Sequence, residues 1–85
     1  MPLYLISYDL LNHATFGQYE TLIAELERIG CRKALYSQWA VRRDETSEVL
    51  RNHLQQYIHT TDRILVSEIT ANWASLHLLI NLNNL

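Results

Sequence analysis

Proline, glycine and cysteine are nearly absent: the 85 residues hold one proline (Pro2), two glycines (Gly17 and Gly30) and one cysteine (Cys31). No Pro/Gly/Ser linker exists, and no segment is repeated or of low complexity, so residues 1–85 read as one compact domain. A lone cysteine excludes an internal disulfide and a thiolate zinc set. Nothing resembles a glycine-rich phosphate loop or a nucleophile elbow, which disfavours P-loop nucleotide hydrolysis and α/β-hydrolase chemistry. No apolar run approaches the ~20 residues that cross a bilayer, the nearest being Leu76 to Ile80, so no membrane partner is expected. No basic region or cleavable apolar segment precedes the first strand-like run, and together with the single thiol this leads to the expectation of a cytoplasmic protein.

Charge is also scarce. Charged residues make up 19% of the chain against 48% apolar ones, and a domain this short buries only about 60–65% of the surface its unfolded chain exposes. Apolar surface must then be covered by something, which favours a partner, and a second copy is the simplest one. The formal charge of −2 argues against coating nucleic acid by bulk electrostatics. Six of the seven cations are arginines, however, and five cations fall in two groups: Arg28, Arg32 and Lys33, then Arg42 and Arg43. Arginine grips phosphate in a fork geometry, so these groups are candidates for a phosphate patch, the alternative being solvated helix and strand ends.

Leu3 to Asp9 (LYLISYD) is an almost continuous strand-forming run, as expected of a central strand covered on both faces. Thr15 and Gln18 have capping-box spacing, Phe16, Tyr19, Leu22, Ile23, Leu26 and Ile29 recur at helical spacing, and Gly30 supplies the stop. Residues Lys33 to Arg43 predict two short strands meeting near Ser37 and Gln38. Acids and hydroxyls from Asp44 to Glu48 start a second helix, whose apolar stripe is Val49, Leu50, Leu54, Tyr57 and Ile58 and which ends at Thr60 and Thr61. Arg63 to Thr70 is a last strand. The tail fits two patterns, alternating Leu76, Leu78, Ile80 and Leu82 or a helical face of Trp73, Leu76, Leu79 and Ile80; a short helix begun by Asn72 is the preferred expectation.

Strand, helix, strand pair, helix, strand is the order of the split βαβ, a ferredoxin-like α+β fold with an antiparallel sheet and helices on one face. The other face would be open, to bind a ligand or to stack sheet to sheet on a second copy. In that topology the strand after Ser37 and the last strand flank the first, so Ser37, Gln38, Trp39, Asp62 and Arg63 surround Asp9. Mg²⁺ or Mn²⁺ needs only one or two protein carboxylates when waters and a phosphate supply the other oxygens. One Asp9 from each of two copies would suffice. The plain alternative is a turn or cap residue at Asp9, with Asp62 paired to Arg63. Glu68 lies at the opposite end of the sheet and is left out. Among His13, His53, His59 and His77 there is no HxxxH or HExxH spacing; His13, on the loop after Asp9, is placed to act as a general acid or base. Tyr8, Tyr36 and Trp39 could stack on bases, although core or interface packing is their commoner role. Cys31 shows no mark of a reactive thiol.

The run ending Ser7-Tyr8-Asp9-Leu10, the segment Gly30-Cys31-Arg32-Lys33-Ala34-Leu35-Tyr36-Ser37-Gln38-Trp39, and Asp62 to Glu68 with Asn72-Trp73-Ala74 resemble the small CRISPR-associated nuclease family. They also resemble its relatives in the virulence-associated protein D group and the stand-alone SinR-like bacterial proteins. The resemblance spans roughly residues 3 to 75 and implies a ferredoxin-like homodimer with sheets face to face and Asp9 as each subunit's metal-binding aspartate. Ala40 stands where the family often has glutamate. The tail beyond Trp73 does not resemble the extension by which CRISPR members dock their integrase, so an integrase partner is not implied. Two functions follow as expectations. One is a metal-dependent endonuclease on RNA or DNA, with Asp9 and Ser37 at the catalytic site, Asp9 as ligand of Mg²⁺ or Mn²⁺, a water activated by the metal as nucleophile, and Arg32, Lys33, Arg42 and Arg43 gripping the backbone. The other is a non-catalytic dimeric scaffold for nucleic acid or protein, or a toxin-antitoxin component.

Overall fold

A computed structural model describes residues 1–11 and 16–85, the side chains of residues 16–18 excepted. The capping box at Thr15 and Gln18 and the loop residue His13 lie outside the described residues. The elements are β1 (Leu3–Asp9), α1 (Phe16–Arg28), β2 (Arg32–Leu35), β3 (Gln38–Arg42), α2 (Ser47–Leu54) and β4 (Arg63–Ile69), with single 3₁₀ turns at Gln55–Tyr57 and Leu82–Asn84. The four strands form one antiparallel sheet in the order β2-β3-β1-β4, which with two helices makes an α+β domain compatible with a ferredoxin-like arrangement.

Period-two alternation in β1 divides its side chains between two layers. Tyr4, Ile6 and Tyr8 point to the helices and join Leu22 and Leu26 of α1, Leu50 and Leu54 of α2, and Trp39 and Val41 of β3 in the main core. Leu22, Leu26, Leu50 and Leu54 are fully buried because each helix presents them at a spacing of four, one above the other on its inner face. The core carries its own polar pairing: the Trp39 indole Nε1 donates to the Tyr8 hydroxyl at 3.1 Å, and the Tyr4 hydroxyl donates to the Glu45 carbonyl at 2.7 Å. Both satisfy groups that burial would otherwise strip of water.

Helix α1 stops where the sequence places its stop. Gly30 takes φ +91°, its N–H bonds to the Glu27 carbonyl (3.1 Å) and the Cys31 N–H to the Leu26 carbonyl (2.9 Å). This is the two-bond left-handed cap that glycine permits. It turns Cys31 inward against Leu26, and burial pushes the thiol up to about 12. At the start of α2 the Thr46 hydroxyl accepts from the Val49 N–H at 3.2 Å, with Glu48 in the first turn complementing the helix dipole.

The tail differs from expectation. No helix begins at Asn72; the chain runs back irregularly over the sheet face opposite the helices and closes with the 3₁₀ turn at Leu82–Asn84. Leu82 is buried against Leu3, Ala34 and Ala40, and Leu5, Ile69, Leu78, Ile80 and Leu85 pack around them. No strand forms either, but part of the alternating pattern holds, at Leu78, Ile80 and Leu82 and not at the exposed Leu76, because the sheet beneath it is apolar. A helix would have turned Leu78 or Ile80 away from that surface, and His77, at φ +58°, breaks helical continuity between Leu76 and Leu78. The Leu79 N–H donates to the Ala34 carbonyl on the edge strand β2 (3.0 Å), and Arg42 Nε donates to the Leu85 carbonyl (2.7 Å). The face expected to stand open is thus closed over the half that carries Leu3 and Leu5. Among the described residues no helix is long and apolar enough to cross a membrane.

Candidate functional site

The sheet register sets the surroundings of Asp9. On β1, Ser7 and Asp9 lie on the same face as Leu3 and Leu5 but beyond the tail. Ser7 pairs with Gln38 on one side and Leu65 on the other, and Asp9 pairs with Arg63. Ser7, Asp9, Leu35, Ser37, Gln38, Arg63 and Leu65, with Tyr8 and Ile64, line an open cleft of about 380 Å³. The Gln38 side-chain amide donates to the Ser7 hydroxyl at 2.8 Å and so fixes the cleft floor. A second cleft of about 360 Å³ is lined by Asp9, Leu11, Tyr36 and Ser37 among others and reaches Tyr19 of α1. Asp9 and Ser37 border both.

The Asp9 carboxylate is 68% exposed and one of its oxygens lies 3.8 Å from Arg63 Nη1, itself 71% exposed. Such a pair is worth ~0–1 kcal/mol and leaves the oxygens accessible. Asp62, the second nearby carboxylate, is committed to the loops: Oδ1 accepts from the Leu11 N–H (2.8 Å) and Oδ2 from the His59 N–H (2.9 Å). It ties the exit of β1 to the turn before β4, and Arg63 pairs with Asp9 instead. Glu68 pairs with Tyr4, toward the other end of β1. No group of three or more His, Cys, Asp or Glu gathers among the described residues, so one chain offers a cation a single accessible carboxylate at this cleft. That set suits a hard ion retaining its waters and taking further oxygens from a second carboxylate or a phosphate, and it does not suit zinc.

The four cations nominated as backbone grips do not converge on Asp9. Arg42 stands opposite Leu3, six residues along β1 and so about 20 Å away. Besides Leu85 it holds the Met1 carbonyl, at 3.1 Å. Arg43 is bound to Glu45 (2.7 Å) and to the Ile29 carbonyl (3.3 Å), which pins the end of α1. Arg32 is exposed on β2, and Lys33 lies over the Tyr36 and Trp39 rings, 5.4 and 6.0 Å from their centroids. Trp39 and Tyr8 belong to the core, whereas Tyr36 protrudes at the β2–β3 turn, 83% exposed.

One charged cluster has no counterpart in the sequence reading. Glu25 of α1, only 5% exposed, accepts two bonds from Arg28 (2.6 Å each) and meets His53 Nε2 of α2 at 2.5 Å. The Arg28 bonds above all, then the His53 bond, hold its carboxyl down to about 2. The signal was present: Leu22, Glu25, Leu26 and Ile29 follow the i, i+3, i+4, i+7 spacing, so an acid occupies a position that the core claims. All its visible contacts are within the domain, and they clamp α1 to α2. No protein-family model matches the chain, and no solved structure matches it significantly.

Proposed function

We propose that the chain works as a homodimer of the small CRISPR-associated nuclease kind, with a ferredoxin-like fold, and cleaves phosphodiester bonds of RNA or DNA with Mg²⁺ or Mn²⁺. The observation that carries this reading is the position of Asp9. Its carboxylate is exposed at the exit of a central strand, on the half of the sheet face that the tail leaves uncovered, beside the exposed apolar Leu65 and Leu35. Burying those two leucines against a second copy gives the domain the core its length withholds, and a two-fold axis there brings two Asp9 carboxylates toward one ion.

The Asp9 carboxylates would hold a hard divalent cation, which when bound would supply positive charge for the phosphate and lower the pKa of a bound water. Asp9 orients that ion, and Ser37, bordering both clefts, offers a hydroxyl to a phosphate oxygen or to the attacking water. Arg32 on edge strand β2, on the same side of the sheet as Ala40, would offer the backbone a further contact beyond the cleft, whereas Lys33 lies on the Trp39 side. Arg42 and Arg43, occupied by carbonyls and Glu45, contribute to the fold.

The Asp9–Arg63 contact favours a second reading, a non-catalytic dimeric scaffold for nucleic acid or protein or a toxin-antitoxin component, since a guanidinium already partners the carboxylate. Incubation of labelled RNA and DNA with the protein and its Asp9→Ala variant, in Mg²⁺, in Mn²⁺ and in chelator, separates the two. We expect metal-dependent cleavage by the native chain and a loss of at least about 100-fold in the variant, the order of a lost charge-stabilising group. Cleavage that persists in Asp9→Ala removes the metal site; intact substrate in every lane favours the scaffold.

A further inference from the structure

The cation that faces the candidate site most directly is one the sequence groups passed over. Arg63 is the cross-strand partner of Asp9, lines the same cleft as Ser7, Gln38 and Ser37, and touches the carboxylate through one Nη at 3.8 Å. Other arginines are held more tightly: Arg28 by two 2.6 Å bonds to Glu25, Arg42 by two carbonyls, and Arg43 by Glu45. A guanidinium presents five donors in a fork that fits a phosphate, and one long contact to an exposed carboxylate uses little of that capacity.

We infer that Arg63 is the phosphate-binding residue of the site and that it exchanges partners, releasing Asp9 when a backbone phosphate of a nucleic acid enters the cleft. This rests on the nucleic-acid-binding part of the function proposed above. The phosphodiester carries the same unit charge as the carboxylate it displaces, so Arg63 stays paired, while Asp9 loses the cation beside it and becomes the better ligand for a divalent ion. Phosphate and metal then favour each other's binding, because Arg63 leaving Asp9 for the phosphate frees the carboxylate for the cation. The weakness of the ground-state pair is what makes the exchange cheap: an exposed pair of up to ~1 kcal/mol taxes phosphate affinity by at most about fivefold.

The exchange is tested without metal, so its outcome is independent of whether Asp9 holds an ion. Binding of a fluorescein-labelled ten-nucleotide oligodeoxythymidylate is followed by anisotropy in chelator for the native chain, Asp9→Asn, Arg63→Gln and the double variant. Both side chains are exposed and make no buried contact, so all four proteins should fold; equal far-UV circular dichroism checks it. Removing the competing carboxylate should tighten binding about threefold, within the range set by an exposed pair. Arg63→Gln should weaken it, and Asp9→Asn should then bring no further gain in the Arg63→Gln background. An equal gain in both backgrounds would mean bulk charge alone and overturns the exchange. So does an Arg63→Gln variant that binds like the native chain, or a native chain that does not bind the oligonucleotide. Failure of Mn²⁺ cleavage with the double-variant pattern intact sinks only the catalytic reading.

Discussion

The tail is predicted to be a strap with its own, lower stability, and Leu82→Ala measures it. Leu82 is 4% exposed and forms a cluster with Leu3, Ala34 and Ala40 that is separate from the helix–sheet core. Truncating a fully buried leucine costs about 2–5 kcal/mol when the whole fold depends on it. The strap, however, is attached by that cluster, by the Leu79-to-Ala34 backbone bond and by the Arg42-to-Leu85 bond, none of which involves the helices. It can undock while the four strands remain paired, so the loss seen in global unfolding is capped by the docking free energy of the strap. We expect about 1–2 kcal/mol for Leu82→Ala and about 3–4 kcal/mol for Leu50→Ala, whose side chain lies in the main core with no exposed surface. Urea unfolding at a fixed protein concentration gives both values, and hydrogen exchange separates the mechanisms. In Leu82→Ala the Leu79 amide should lose protection while β1 amides such as Ile6 keep theirs. Equal losses in the two variants, or an unchanged Leu79 amide, would refute the strap.

Two further outcomes follow from the buried ionisable groups. Because the folded Glu25 carboxyl sits at about 2 against an ordinary 4.5, its bonds to Arg28 and His53 favour the native state above pH 4.5, and that contribution fades as pH falls toward 2. The stability advantage of the native chain over Glu25→Gln should therefore shrink steadily across that interval in acid-series urea melts; an advantage independent of pH would dismiss the clamp. Cys31, whose buried thiol is pushed up to about 12, should not react with a thiol-specific disulfide reagent in the native state at pH 8 and should react fully in denaturant. Rapid modification of the folded protein would place Cys31 outside the core.

Where one local rule decides, the sequence and the structure agree closely. Gly30 ends α1 because the left-handed cap needs it, and the alternation Leu3, Leu5, Ser7, Asp9 against Tyr4, Ile6, Tyr8 fixes which residues of β1 meet the helices. The paired strands break at Tyr36 and Ser37, close to where the sequence breaks them. The two differ where two local rules are satisfied at once and a distant surface chooses between them. The tail fits both a helical face and an alternating strip, and only the apolar floor of Leu3, Ala34 and Ala40, assembled from three strands, selects the second. Arg42 and Arg43 are a similar case. Adjacent arginines look like a phosphate grip, but the carbonyls of Met1, Ile29 and Leu85 that capture them are 14 to 43 residues away in the chain. Glu25 was visible as an acid in an apolar stripe, while its partner His53 required the packing of α2 on α1.

The strap also limits how two copies could meet. A sheet that is bare on one side can stack on its twin in several registers, all burying similar apolar area. Once Leu78, Ile80, Leu82 and Leu85 cover the strip over Leu3, Leu5 and Ala40, the remaining bare strip is the one bearing Ser7, Gln38, Leu65 and Asp9. A two-fold contact made by the sheet itself would then be centred near the exit of β1, where Leu65 is 62% exposed, whereas one made by the strap would use its exposed Leu76 and Leu79. In the proposed dimer the same tail that completes the core at one end of the sheet thus confines the partner to the other end. In that arrangement the two Asp9 carboxylates would be drawn toward each other by steric exclusion, without a specific contact between the tails.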